Sequence, residues 1–409
     1  MILSIINRIA RFPFRIIRGF ALNLRPFYYL KKQSQKKTSG KVKVGFIVQM
    51  PELWDKEVDI YDEMKKRDNI EVQLIVVPYT DYDNPDKTLS YDGNYFIEHY
   101  SDAVKAIDVD GNVIDIQGLK FDYVFYQRPY DHYLPRELRS TELVKSSKCC
   151  YVPYGYSGSD VFNGGNTNTS FFRNMSFVFL ESDYMKKVFD AKFRKNFVYR
   201  LQHVVSLGYP NLARFFDIPK NICVKKILWT PRWSYDNRVG GSHFFEYKDT
   251  ILKLKEDYSD IDMVFRPHPL MFDQFISKGL MTKKSMEAFK AELKKLSIVY
   301  DYDSMIVSAI ADTDLLITDY SSIIINFFLT GKPIIYCRAN YDLNEEYSKI
   351  ESCIYVAENQ QQIESYVAML LNGEDPLAEK RKALIEKYKL KHVGAAKRIV
   401  DYLLSDSYQ

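Results

Sequence analysis

From Val42 onward, short apolar runs of strand length alternate with stretches whose apolar residues recur at helical spacing. Parallel sheets covered by helices on both faces give this pattern. Strands are predicted over residues 42–49, 71–78, 121–126, 148–154 and 176–180, with a short one near Val204 and helical stretches such as 59–67 between them. A second series begins at Lys226, with strands at 227–230, 263–266, 298–300, 315–318 and 333–337, and helices at 360–372, 376–389 and 395–404 close the chain. The expectation is an α/β protein with two doubly wound domains, 41–220 and 221–390, a leader and linker over 1–40, and a C-terminal helix over 391–409. Ligands of such sheets gather at the carboxyl ends of the strands.

The leader has a different pattern. At 100° per residue, Arg8, Arg11, Arg15, Arg18 and Arg25 share one helical face, and Ile2, Ile5, Ile6, Ile9, Phe12, Ile16, Ile17, Phe20 and Leu24 share the other. Pro13 is placed to kink the helix and Phe14 interrupts the stripe, while Phe27-Tyr28 and the lysine pairs 31–32 and 36–37 continue the mix of rings and cations. This is the pattern of a helix lying on a membrane surface, here through residues 1–37, although docking on a partner or on the protein's own body is the alternative. Arginines interrupt the apolar region too early for a secretory signal. Residues 33–41 read as a polar linker.

Charge sharpens this reading. The net charge of +4 conceals eleven Lys and Arg before Glu52 with no acid among them, leaving 46 bases and 53 acids in the rest of the chain. A mildly acidic body with a basic leader argues against a nucleic-acid partner. The longest stretch free of charge is thirteen residues, 201–213, short of the roughly 20 that a membrane span needs. Cys149, Cys150, Cys223, Cys337 and Cys353 lack metal or redox spacing, which suits a reducing compartment. The expected location is peripheral, on the cytoplasmic face of the membrane.

Phosphate-loop, dinucleotide, zincin and nucleophile-elbow fingerprints are missing, and no metal or cofactor is expected. Three strand ends carry candidate chemistry instead. Phe265-Arg266-Pro267-His268-Pro269 ends a strand in a fixed cation and in a histidine framed by prolines. Thr318-Asp319-Tyr320-Ser321-Ser322 turns a buried strand into an apolar helix, presenting hydroxyls and free N–H groups to an anion; plain N-capping by a serine or Asp319 is the competing reading. Leu228-Trp229-Thr230-Pro231-Arg232-Trp233, followed by Ser242 and His243 after Gly240-Gly241, offers contacts to phosphate and a planar base, with simple packing of the tryptophans equally compatible. In the first half, Tyr151-Val152-Pro153-Tyr154-Gly155-Tyr156 leads into a Gly-, Asn- and Ser-rich loop over 157–169, readable as an acceptor-side loop or as a long turn.

These residues resemble the CDP-glycerol glycerophosphotransferase family, the teichoic-acid primases and polymerases. The likeness runs from about Leu207 to Asp342, through Gly208-Tyr209-Pro210-Asn211, 227–233, 265–269, 314–322 and Lys332-Pro333-Ile334-Ile335-Tyr336. It implies two Rossmann-like domains in a GT-B arrangement, attachment to the cytoplasmic membrane face, a CDP-glycerol-type donor, and a lipid-linked or polymer acceptor. His268 and the Ser321-Ser322 helix start would then contact the donor diphosphate.

The polymerases place a His-Gly-Thr-Pro sequence in the first domain, where this chain has Tyr151-Val152-Pro153-Tyr154-Gly155. His132, His203, His243, Asp160 and Asp319 therefore remain candidates for the base. The expected catalytic residues are His268 and Asp319, with Arg266, Thr230, Arg232, His243, Ser321 and Ser322 binding the donor. The expected reaction moves glycerol phosphate, or a related alditol phosphate, to a hydroxyl and releases CMP. A nucleotide-sugar glycosyltransferase on the same architecture and a catalytically silent membrane-surface module are the alternatives.

Overall fold

The structure, a computed structural model, describes residues 22–83, 90–91, 93–116, 118–160, 169–221, 223–235, 241–302 and 306–408. Two compact units divide the chain: Met1–Tyr154, Gly164–Asn211 and Gly394–Gln409 form the first, and Gly155–Asn163 with Leu212–Val393 the second. The sequence reading ends its first domain at 220 and sets the C-terminal helix apart. In the structure the chain changes unit at 211/212, and its last helix belongs with the first unit.

The first unit holds a parallel sheet of β1 (Val42–Val48), β2 (Ile70–Val76), β3 (Ala103–Lys105), β4 (Tyr123–Tyr126), β5 (Lys148–Tyr151), β6 (Met175–Phe179) and β7 (His203–Val205), in the order β3-β2-β1-β4-β5-β6-β7. Strand β1 is buried along nearly its whole length, as a central strand covered on both faces must be. Gly45 within it admits close packing: a Cβ there would stand 3.0 Å from Ile75 Cδ1 and 3.2 Å from the Phe121 ring. Alternation along the strands puts Phe46, Phe125, Phe177 and Phe179 on one face as a ladder, the first two stacked at 4.7 Å. The helix Ala395–Tyr408 closes that face. Tyr402 packs edge-on against Phe177 and Phe179, and the Tyr123 hydroxyl, buried beneath, donates to Leu403 O and to Asp406. Each fully buried ring contributes about 2–3 kcal/mol by leaving water, so this docking explains why the last helix goes with the first unit.

The described part of the leader also docks here. Residues 22–34 are helical, with Leu30 and Gln33 buried, Phe27 against Phe197 at 5.2 Å, and Gln33 Nε2 donating to Lys145 O at 3.0 Å. Arg25, expected on a lipid-facing basic face, pairs with Glu142 at 3.0 Å, and Lys36 lies 3.3 Å from Asp122. Residues 22–36 thus pack on their own protein, and the segment expected to be a linker begins inside this helix. The arginine stripe from Arg8 to Arg18 lies outside the described residues. No helix among the described residues is long and apolar enough to cross a membrane.

The second unit holds β8 (Lys226–Thr230), β9 (Asp262–Phe265), β10 (Val299–Tyr300), β11 (Leu315–Thr318), β12 (Ile334–Cys337) and β13 (Tyr355–Ala357), parallel in the order β10-β9-β8-β11-β12-β13. Trp229, Phe244, Phe265 and Phe289 interlock under this sheet. Lys332, from the motif segment 332–336, is structural. Its buried ammonium donates to Ile310 O, Ala311 O and Thr313 O at 2.6–3.0 Å, a cation closing the carboxyl end of the helix Ile306–Ala311.

Candidate active site

The carboxyl ends of β8, β9 and β11 lie side by side, since Thr230 pairs with Thr318 and Trp229 with Phe265 in the ladder. They bring together residues that are far apart in sequence. Thr230 Oγ1 donates to Thr318 Oγ1 at 2.8 Å, tying two strand ends. Just beyond, Asp319 is 3% exposed and its carboxylate accepts three N–H groups: Arg232 N at 2.8 Å, His243 N at 3.2 Å and His243 Nδ1 at 2.8 Å. Arg232 also donates to Tyr320 O at 2.9 Å and lies over the Tyr320 ring. Thr230, Arg232, His243 and Asp319 are therefore one hydrogen-bonded node. Asp319 orients the turn after β8 and the start of the helix Phe244–Asp257.

Two opposing influences act on His243. Burial disfavours its charge, but the hydrogen bond and carboxylate of Asp319, with Glu246 3.8 Å from Nε2, outweigh it and raise the imidazole above the ordinary value of 6.5. His268 behaves oppositely. Desolvation by surrounding protein, then the Arg232 charge, lowers it. Although exposed to solvent, its ring lies against Trp233, with centroids 5.8 Å apart. The N–H of Leu270 donates to His268 Nδ1 at 3.2 Å, which leaves Nδ1 as acceptor and places the proton of the neutral ring on Nε2. His268 is thereby held as a hydrogen-bond donor through Nε2. Its neighbour Arg266 spends Nη1 on Asp301 at 2.6 Å, so its charge is partly neutralised.

The serines sit where expected, at the start of the helix Ile323–Phe328. That helix has six residues, too few for a strong terminal field. Ser321 Oγ accepts from Ile323 N at 3.5 Å, and the exposed Ser322 makes no side-chain cap, leaving its hydroxyl available.

Sequence reasoning misses two contributors. Asp301, just past the end of β10, belongs to one of several Asp-x-Asp pairs that are close to chance in so acidic a body, and nothing in its spacing points to Arg266. Tyr320 accepts from Gly158 N at 3.0 Å through its hydroxyl, binding the loop after β5 to the second unit. Asn344 Nδ2 reinforces this by donating to Ser157 O, and a Cβ at Gly158 would stand 2.7 Å from the Tyr347 ring, so only glycine fits. The described start of the loop expected on the acceptor side therefore packs with the donor-side unit; 161–168 lie outside the described residues. A polar cavity of about 390 Å³, lined by Arg338, Asn340, Tyr341, Asp342 and their neighbours, adjoins the node, with Tyr341 edge-on to Tyr320 at 5.6 Å.

Comparison with known proteins supports the same region. The teichoic acid poly(ribitol-phosphate) polymerase of Bacillus spizizenii is 24% identical over 211 residues, 48% of this chain; the match spans about a third of that protein, 31% of its length. The wall teichoic acid polymerase TagF superposes with a TM-score of 0.55 at 15% identity, covering 98% of both chains. A UDP-GlcNAc 2-epimerase from Methanocaldococcus jannaschii does so with a TM-score of 0.55 at 15% identity, over 89% of this chain and all of that one. At such identities these likenesses establish the fold, two Rossmann-like domains of the GT-B class. The family described as CDP-glycerol:poly(glycerophosphate) glycerophosphotransferase matches over residues 158–405, spanning the whole Asp319 node and the His268 turn, and the chain belongs to that family.

Proposed function

We propose that the protein transfers an alditol phosphate, glycerol phosphate in the first instance, from its CDP ester to a hydroxyl of a membrane-associated acceptor, releasing CMP. The acceptor hydroxyl attacks the β-phosphorus and gives up its proton to water. The bond from that phosphorus to the bridging oxygen breaks, and CMP leaves with the oxygen. Such a transfer depends on positioning and on charge stabilisation. The observation that carries the reading is His268, exposed just past a strand end and fixed by Leu270 N–H so that its proton sits on Nε2, in the unit that the family covers.

In this reading His268 donates to the leaving oxygen, and Arg232, Arg266 and the Ser322 hydroxyl hold the diphosphate. Thr230, Asp319 and His243 are positioning residues that keep Arg232 in place. The cavity beside Tyr341 is of a size to receive the cytidine. The test is nucleotide release from a panel of CDP-glycerol, CDP-ribitol and UDP-sugars, with membranes of a Gram-positive bacterium as acceptor. CMP release from a CDP-alditol is expected; UDP from a UDP-sugar would make the protein a glycosyltransferase.

Membrane attachment through the first part of the leader belongs to the same proposal. Removing residues 2–21, and not the docked 22–36, is expected to shift the protein from the membrane pellet to the supernatant with CDP-glycerol affinity within about twofold of wild type. Continued sedimentation with membranes would count against an anchor.

A further inference from the structure

The first unit carries an unassigned cluster at the carboxyl ends of β1, β2, β4 and β5. Just past β4, Arg128 Nη2 donates to Gln49 Oε1 at 2.8 Å. The amide of Gln49 is itself fixed by donating to Tyr133 O at 2.7 Å, and Gln127 accepts from Gln49 N and Met50 N at 2.9 Å each. A neutral amide network, not a carboxylate, therefore holds the guanidinium. Arg128 makes no ion pair among the described residues, and its Nε–H is buried without a hydrogen-bond partner. The guanidinium lies 4.5 Å from the Tyr79 ring centroid and 4.4 Å from that of Tyr133. Tyr79 is 50% exposed, and the hydroxyls of Tyr130 and the partly exposed Tyr154 meet at 3.0 Å beside this platform.

A second cation lies beneath. Lys56 is 2% exposed, and its ammonium donates to Gln127 O and to Val152 O, the peptides beyond β4 and β5, facing the rings of Tyr151 and Tyr154. Its carboxylate neighbour, Glu57, is fully buried 3.9 Å away, with both oxygens lacking a hydrogen bond. Burial pushes Glu57 up to about 7 and Lys56 down to about 8, so this pair weakens both its own charges and leaves Arg128 as the cation with no carboxylate beside it among the described residues. Unneutralised charge in a half-dry site attracts an anion strongly. A guanidinium fork suits phosphate, and ring faces with phenolic hydroxyls suit the C–H and O–H groups of a polyol.

We propose that Arg128, with Tyr79, Tyr130, Tyr133 and Tyr154, forms the acceptor subsite, and that it takes a phosphate ester of a polyol. Arg128 holds the phosphate and the tyrosines the hydroxylated chain. The assignment as acceptor site rests on the transfer reading; the binding chemistry does not.

The probe is sn-glycerol 3-phosphate, titrated calorimetrically into the full-length protein with the donor site saturated by CMP. Wild type is expected to bind it, Arg128→Ala to bind at least about tenfold more weakly, and Arg128→Lys, which keeps the charge but loses the fork, to recover only part. Tyr154→Phe is expected to weaken it several-fold, and near-UV circular dichroism of each variant verifies folding. No binding by folded wild type, unchanged affinity in either arginine variant, or equal affinity for inorganic phosphate would overturn the proposal. If binding follows Arg128 as expected while CDP-alditols yield no CMP, the polyol-phosphate site stands and the transfer reading falls.

Discussion

Asp319→Ala is expected to destabilise the protein by about 3 kcal/mol, the range for removing one partner from a buried, charged hydrogen-bond network. Three N–H groups, two of them backbone, lose their acceptor together, and nothing at the site replaces it. Urea unfolding at several pH values reads the charge component. His243 has a higher affinity for its proton folded than unfolded, so the pair's contribution is fully present below the ordinary histidine value of 6.5 and is lost as the pH rises through the raised folded value. Asp319→Asn should flatten that dependence while keeping part of the hydrogen bonding. An alanine variant as stable as wild type, with the same pH profile, would remove Asp319 from the centre of the node.

The second large effect concerns His268. His268→Ala should lower turnover by about 10²- to 10³-fold through loss of a positioned hydrogen-bond donor to the charge growing on the leaving oxygen, with CDP-glycerol affinity changed only a few-fold. Since the surroundings lower its pKa, the ring is neutral at pH 7 and carries its proton on Nε2. Acid should reduce activity only below pH 6.5, where protonation of Nδ1 breaks the Leu270 bond. Turnover within about threefold of wild type in the folded alanine variant would show that this histidine is not the donor.

What can be read from the residues divides along physical lines. Short runs rich in apolar residues, such as 44–48 and 315–318, alternating with helical patterns read as buried strands, and their order along the chain implies two parallel sheets. The strands Ala103–Lys105 and Tyr355–Ala357 escape because three residues at a sheet edge carry almost no periodic signal. The amphipathic signal of the leader is real, but it does not say what covers the apolar stripe; over 22–34 that cover is the protein's own first unit. The motif residues are visible as residue types framed by prolines and strand ends. Their bonding is not, because His243 and Asp319 are 76 positions apart and meet only through the pairing of β8 with β11. Glu57 and Arg128 give no motif signal, and only polar atoms buried without a hydrogen-bond partner make them conspicuous.

The most direct test of the central claim is to ask which bond is cleaved. CDP-glycerol labelled with ³²P at the β-phosphorus and with ¹⁴C in the glycerol is incubated with the protein and acceptor membranes. Transfer of an alditol phosphate requires both labels to enter the polymer or lipid product together in equal amounts, with CMP released in step. If the carbon label moved alone, leaving the phosphorus in CDP, the enzyme would break the carbon–oxygen bond as a glycosyltransferase does, and alditol-phosphate transfer would be contradicted.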